Sequence, residues 1–340
     1  MKAGWQDDGW SEMIPLFVLC LQVLLPVVLL AWLGVFAASG VLAFTLQALS
    51  VGLILLGLGL VGLWAMPPFW VPYLYGLVYL AIVIRHIAGG QVDTTVLWSS
   101  GALTSTLIVL VAGLGIAGVY LTLCALEGRR LPAVETVDIA PPLRSGTLLV
   151  AHGGSTEWVN AHLRTLDPDE ERFYPWRGQS RALDIFVITS WGSHMKGLWP
   201  ADPAQYETFG ALVVAPCSGT VARVVDDLPD MQVPQMDTLN PAGNFVAINC
   251  GEFYVVLAHL RQGSIRARQG DVVETGEVLG EIGNSGNSSE PHLHIHAQRG
   301  LPEGAPLSGE PLGLTINGRF LVRNDRMKIK SSSKQGMGLN

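Results

Sequence analysis

Near the end of the chain runs Ser288-Ser289-Glu290-Pro291-His292-Leu293-His294-Ile295-His296. Side chains on a strand alternate between its two faces. Read as a strand, this stretch puts His292, His294 and His296 in one row and turns Leu293 and Ile295 toward a core. A half-exposed strand that happens to be His-rich is the plain alternative. Neutral imidazole is, however, a common metal ligand and a base near neutral pH, so the row points to a metal or acid/base site.

Outward from that row, short apolar runs split by Gly, Asn and Asp predict an all-β domain. The strands fall over 147–151, 182–189, 212–215, 220–225, 245–249, 253–259, 278–282 and 292–298. The stretch 226–243, rich in Asp, Pro and Met, predicts a surface loop. Glycines within 270–280 permit tight turns, and the apolar residues between them fill a small barrel. Lipoyl and biotinyl carrier hairpins have a similar turn pattern but carry their cofactor on a lysine, and 270–280 contains none. No long helix is expected in this half.

Five segments follow one another in the order of lysostaphin-like (LytM-type) zinc endopeptidases. They are Ala211-Leu212-Val213-Val214-Ala215-Pro216-Cys217-Ser218-Gly219-Thr220-Val221, Ala258-His259-Leu260, the glycine turn at 270–280, Gly283-Asn284-Ser285-Gly286-Asn287-Ser288, and Pro291-His292-Leu293-His294. The resemblance covers about 182–298. It implies an antiparallel LytM-type β-sheet with barrel-sandwich, lipoyl-like hairpins, and zinc-dependent hydrolysis of peptide bonds in peptidoglycan. It also implies roles for particular residues. His294 and Asp184, the latter in Ala182-Leu183-Asp184-Ile185, match metal ligands; His259 and His292 match the histidines that assist proton transfer and oxyanion stabilisation. His296 has no counterpart.

One position departs from the family. Its remaining ligand is a His four residues before the Asp, and Ser180 stands there. A neutral hydroxyl is a poor zinc ligand beside imidazole. The site therefore recruits another histidine, holds zinc weakly or only with substrate, or has lost catalysis and keeps a peptide-binding groove. His162 is the first candidate for recruitment, because it precedes the ligand-bearing strand; His296, His194 and His152 follow. The alternative to a peptidase is thus a degenerate domain that binds peptidoglycan or regulates another hydrolase.

The N-terminal half reads differently. No Asp, Glu, Lys or Arg occurs between Met13 and Ile84, nor between Thr94 and Leu126. A bilayer core takes about 20 apolar residues per helix, which predicts four spans near 14–37, 41–65, 69–88 and 101–125. Pro26 falls inside the first and kinks it, as membrane helices tolerate. The organisation expected is a membrane region over 1–126, a Pro-containing linker over 127–145, the LytM-like domain over 146–325, and a disordered basic tail over 326–340. Lipid bilayer and peptidoglycan peptides are the expected partners.

Sidedness is contested within the sequence. Arg129 and Arg130 after the last span argue for a cytoplasmic C-terminal half under the positive-inside rule. Peptidoglycan as substrate argues for the opposite, and the expectation here is a multi-pass protein of the bacterial inner or cell membrane with its β domain extracytoplasmic. Cys217 and Cys250 each end a predicted strand and are expected as two separate thiols, although an oxidising compartment would let them pair. A net charge of −7 gives no sign of nucleic-acid binding.

Overall fold

A computed structural model describes residues 17–330. The chain forms two compact units, Met1–Glu127 and Gly128–Asn340.

The first unit is helical. Its helices are α1 (Leu25–Val35, entered through a π-helical turn at Cys20–Leu24), α2 (Val41–Val61), α3 (Val71–Ala88) and α4 (Ala102–Glu127). With the π turn counted, the first runs Phe17–Val35, and all four are long and apolar enough to cross a membrane. The expected start of the first span, 14–16, lies outside the described residues. Pro26 brings no N–H to the carbonyl four residues earlier. That carbonyl belongs to Gln22, and Tyr75 Oη donates to it at 3.0 Å. The wide turn and the borrowed hydroxyl together absorb the proline. Close packing of α2 on α4 depends on glycine: a Cβ on Gly118 would stand 2.6 Å from the Leu53 carbonyl oxygen.

The second unit is mostly antiparallel β. Its strands are β1 (Thr136–Ile139), β2 (Gly146–His152), β3 (Leu183–Ile188), β4 (Leu212–Val214), β5 (Gly219–Val225), β6 (Asn244–Asn249), β7 (Tyr254–Leu260), β8 (Val272–Val273), β9 (Val278–Glu281), β10 (Leu293–Arg299), β11 (Glu310–Pro311), β12 (Gly313–Ile316) and β13 (Arg326–Ile329). The main sheet has nine strands in the order β13-β2-β3-β10-β7-β6-β5-β8, with β11 paired to β10. β4 pairs with β9 and β1 pairs with β12 as two small ribbons. One face of the sheet buries Leu148, Val150, Leu183, Ile185, Val255, Leu257, Leu293 and Ile295 in a core shared with Val213 and Leu279 of the small β4–β9 ribbon. The glycine-rich 270–280 stretch supplies β8, a turn and β9, so it closes this core from above.

Several elements differ from expectation. The linker region contains β1, held by parallel pairing to β12. Arg326–Ile329 of the expected tail is an edge strand on β2; 331–340 lies outside the described residues. These segments are too short and too polar to show a period on their own, and pairing with distant strands forms them. The 226–243 loop has no regular structure but is pinned: Met231 N–H donates to Asn284 O and Val233 N–H to Ala201 O. Cys217 and Cys250 are joined as a disulfide, which corrects the expectation of two separate thiols. Their strand ends lie together, with Thr220 opposite Asn249 in the β5–β6 register, a proximity that linear spacing does not reveal.

Candidate metal and catalytic site

Register builds the site. His294 on β10 sits directly opposite Asp184 on β3, and Asp184 in turn sits opposite His152 on β2. Directly opposed residues share a face, so His152, Asp184 and His294 form a row across three strands, on the face away from the main core. Along β10 the same face continues through His296 and Gln298.

His259 reaches this face by a backbone irregularity. Val246 pairs with Leu257 and Asn244 with Leu260, so β7 spends one residue more than β6 over this interval. The extra residue is a β-bulge, and His259 has φ +61°. A left-handed φ is costly for a non-glycine residue, and such bulges re-aim side chains. Simple alternation would send His259 inward beside Leu257. Instead its ring lies 4.7 Å from that of His292 and 5.6 Å from that of His294, centroid to centroid.

The imidazole nitrogens around Asp184 are close. His294 Nδ1 is 3.1 Å from Asp184 Oδ1, and His292 Nε2 is 3.5 Å from the same oxygen. His162 Nε2 is 3.5 Å from Oδ2. The backbone fixes the proton on two of the rings. His259 Nδ1–H donates to Ser285 O at 2.8 Å, and His292 Nδ1–H donates to Glu290 O at 2.9 Å. Both rings therefore turn Nε2 toward the site as the free nitrogen.

Electrostatics follow from burial and from the one carboxylate. Burial works to raise the Asp184 carboxyl, yet the surrounding imidazoles hold it well below the usual carboxylate range. Burial pushes His162 down to about 4 and His152 down to about 3, and it holds His259 well below an ordinary imidazole. For His292 burial works downward too, but Asp184 and the Glu290 carbonyl outweigh it and the net shift is upward.

His162, Asp184 and His294 each present a ligand atom, and these atoms lie within 4.8 Å of one another. Two imidazoles and a carboxylate are a donor set that suits zinc and leaves a coordination position open. The residues thus fit a metal ion. His162 arrives on a 3-10 turn, Ala161–Leu166, that folds over the sheet. Its ring lies 5.0 Å from that of His294.

Ser180 takes no part in the donor set. It caps a second 3-10 helix, Glu171–Gln179, is fully buried, and its Oγ is 2.7 Å from Thr165 Oγ1. Thr165 Oγ1 also bonds the His162 carbonyl at 2.7 Å. The position where the family pattern has a ligand therefore braces the turn that carries His162. The other histidines have other surroundings. His194 stacks on Phe186 at 4.5 Å and bonds Glu290 Oε2 at 3.0 Å. His152 Nδ1 accepts from Arg323 Nη2 and from Ala161 N–H. His296 bonds the outer nitrogen of His294 rather than facing Asp184.

Residues 205–307 match the profile of peptidase family M23. A protein of Haemophilus influenzae described as an uncharacterized metalloprotease is 33% identical over 121 residues, covering 34% of this chain and 23% of that protein. The chain thus spans about a quarter of the curated relative it matches. Among solved structures, the lysostaphin catalytic domain of Staphylococcus simulans aligns at 19% identity over 36% of this chain and 71% of that one, TM-score 0.24. A putative M23 peptidase of Pseudomonas aeruginosa aligns at 16% identity over 51% and 50%, TM-score 0.27. The matched stretch contains His259, His292 and His294; Asp184, Ser180 and His162 precede it.

Proposed function

We propose that this chain, whose residues 205–307 match peptidase family M23, is a membrane-anchored, zinc-dependent hydrolase of peptidoglycan peptides of the lysostaphin-like (LytM) type, with His162, Asp184 and His294 as the metal ligands and His259 and His292 as catalytic residues. The observation that carries the reading is the meeting of two imidazole nitrogens and one buried carboxylate within 4.8 Å, next to two further imidazoles. His162 supplies what Ser180 does not.

Bound zinc would supply a Lewis acid for the scissile carbonyl and a more acidic water. The rest falls to the chain. Asp184, ionised and buried, contributes the negative charge of the ligand set. His259 and His292 have Nδ1 committed to backbone carbonyls, so each acts through Nε2. One Nε2 accepts the proton of the attacking water and passes it to the leaving amine; the other donates to the oxygen that gains charge when its ring carries a second proton, a form the upward shift of His292 favours.

The sidedness proposed is extracytoplasmic. The Cys217–Cys250 disulfide supports it, since such bonds persist in oxidising compartments. Arg129, one of the two arginines that argued otherwise, pairs with Asp325 at 2.9 Å and so has a structural use.

The test is metal content and activity together. Full-length chain purified in detergent should hold about one zinc per molecule, the occupancy of a single three-ligand site, and should release peptides from peptidoglycan in a chelator-sensitive way. His162→Ala should lose both. Metal-free protein that binds peptidoglycan without cleaving it would replace this reading with the degenerate one.

A further inference from the structure

Of the three imidazole nitrogens that face Asp184, those of His294 and His162 belong to rings whose other nitrogen leads to a buried carboxamide; the His292 ring is anchored on the Glu290 carbonyl instead. From His294 the path runs along one face of β10. His294 Nε2 is 3.1 Å from His296 Nδ1, and His296 Nε2 is 3.2 Å from Gln298 Oε1. Gln298 Nε2 donates to Gly300 O at 2.9 Å and to Pro306 O at 2.8 Å. From His162 the path is shorter. His162 Nδ1 is 2.9 Å from Asn160 Oδ1, and Asn160 Nδ2 donates to Gly154 O at 3.3 Å and Ala182 O at 3.1 Å. Asn160, His296 and Gln298 are 0–1% exposed.

These bonds have one consistent set of proton positions. A carboxamide has an acceptor oxygen and a donor nitrogen. The nitrogen must face the carbonyl pair, because an oxygen there would meet two acceptors. The Gln298 and Asn160 oxygens are then left as acceptors for imidazole. His296 must donate from Nε2 and, being neutral, accept at Nδ1. His294 must therefore carry its proton on Nε2. By the same logic His162 carries its proton on Nδ1. The nitrogens left without a proton are His294 Nδ1 and His162 Nε2, both of which face the Asp184 carboxylate. Acceptors turned onto a carboxylate repel it unless a cation lies between them, so the anchors orient the site for a cation before one arrives.

We propose that Asn160 and the His296–Gln298 pair are positioning residues that set opposite tautomers on His162 and His294, so that each presents its unprotonated nitrogen to one metal ion. The function rests on the reading of His162, Asp184 and His294 as the zinc site; the tautomers themselves do not. Sequence pattern supports the arrangement, since His294, His296 and Gln298 alternate along one strand. Packing supports it too: a Cβ on Gly178 would overlap Gln298 Oε1, so the glycine makes room for the amide.

The experiment is nitrogen-15 NMR of histidine-labelled full-length protein in detergent micelles, stripped of metal, in mildly alkaline buffer where imidazole is neutral. His294 should be protonated on Nε2 and His162 on Nδ1. In Gln298→Met and Asn160→Leu, which remove the acceptor at similar volume, the matching histidine should become a mixture of tautomers. Zinc affinity from chelator competition should fall about 10- to 100-fold in each, the cost typical of losing an outer-shell partner. Gln298→Glu and Asn160→Asp keep an acceptor oxygen toward the imidazole, with the second oxygen protonated so that it donates to one of the two carbonyls, and should keep the wild-type tautomers, so a variant that fails to fold does not decide the matter. The reverse tautomers in wild type, or unaltered ones in Gln298→Met and Asn160→Leu, would overturn the proposal. Correct tautomers in a protein that holds no zinc would overturn the metal reading and leave the tautomer assignment standing.

Discussion

At the scale of single residues, Asp184 is the group with no substitute. It is buried, ionised and within 3.5 Å of His162, His292 and His294 nitrogens. Asp184→Asn keeps the shape and removes the charge. Zinc affinity should drop by at least about 100-fold, beyond the loss of an outer-shell partner, and a chelator titration reads this directly. Ser180→His looks like a repair of the family pattern and should act as damage. Ser180 is fully buried and bonded to Thr165, whose hydroxyl holds the His162 carbonyl. A histidine there overfills the position and releases the turn, so zinc affinity should fall and the melting temperature should drop. An increase in affinity would mean that His162 is not the ligand. Gly178→Ala should also weaken zinc binding, because the new methyl displaces Gln298.

At the scale of elements, the β7 bulge and the core behind it separate function from stability. The bulge brings His259 onto the site face at the cost of a left-handed backbone. On the opposite side of the sheet, Leu279 of β9 is fully buried in the main core, remote from the histidine row. Leu279→Ala should cost about 2–5 kcal/mol by leaving a cavity. Urea unfolding should register that loss while zinc affinity in the folded protein stays near wild type. A parallel collapse of zinc affinity would show that the site depends on the ribbon packed over the core.

At the scale of the whole molecule, two measurements test the extracytoplasmic placement proposed for the β domain. The disulfide closes a separation of 33 residues, for which chain entropy gives about 3–4 kcal/mol. Cys217→Ser with Cys250→Ser should destabilise the second unit by about that much. In cells, thiol labelling of the wild type should require prior reduction. A reporter fused after the last residue should be active if it works outside the cytoplasm and silent if it works inside. Free Cys217 and Cys250 thiols with a cytoplasmic reporter signal would reverse the sidedness proposed.

Periodicity and composition determined much by themselves. The uncharged runs of the first half predict four apolar helices, and α1 to α4 lie close to the expected bounds, because a long helix that is apolar all round stands out in composition. The strands that pair in the centre of the sheet were legible because burial on alternating faces leaves a period of two. The alternation of the 292–296 row puts His294 and His296 on one face of β10 for the same reason. Tertiary structure decided the rest. The edge strands β1, β11 and β13 lack a period and exist through pairing alone. His259 left the face that alternation assigns it, through a bulge set by the neighbouring strand. His162 and Asn160 lie about twenty residues from Asp184 in a turn with no regular period. A histidine there differs in no local way from a surface histidine. What makes it a candidate ligand is the fold of the turn over β3 and β10, held by Ser180 at the position where the sequence suggested a missing ligand.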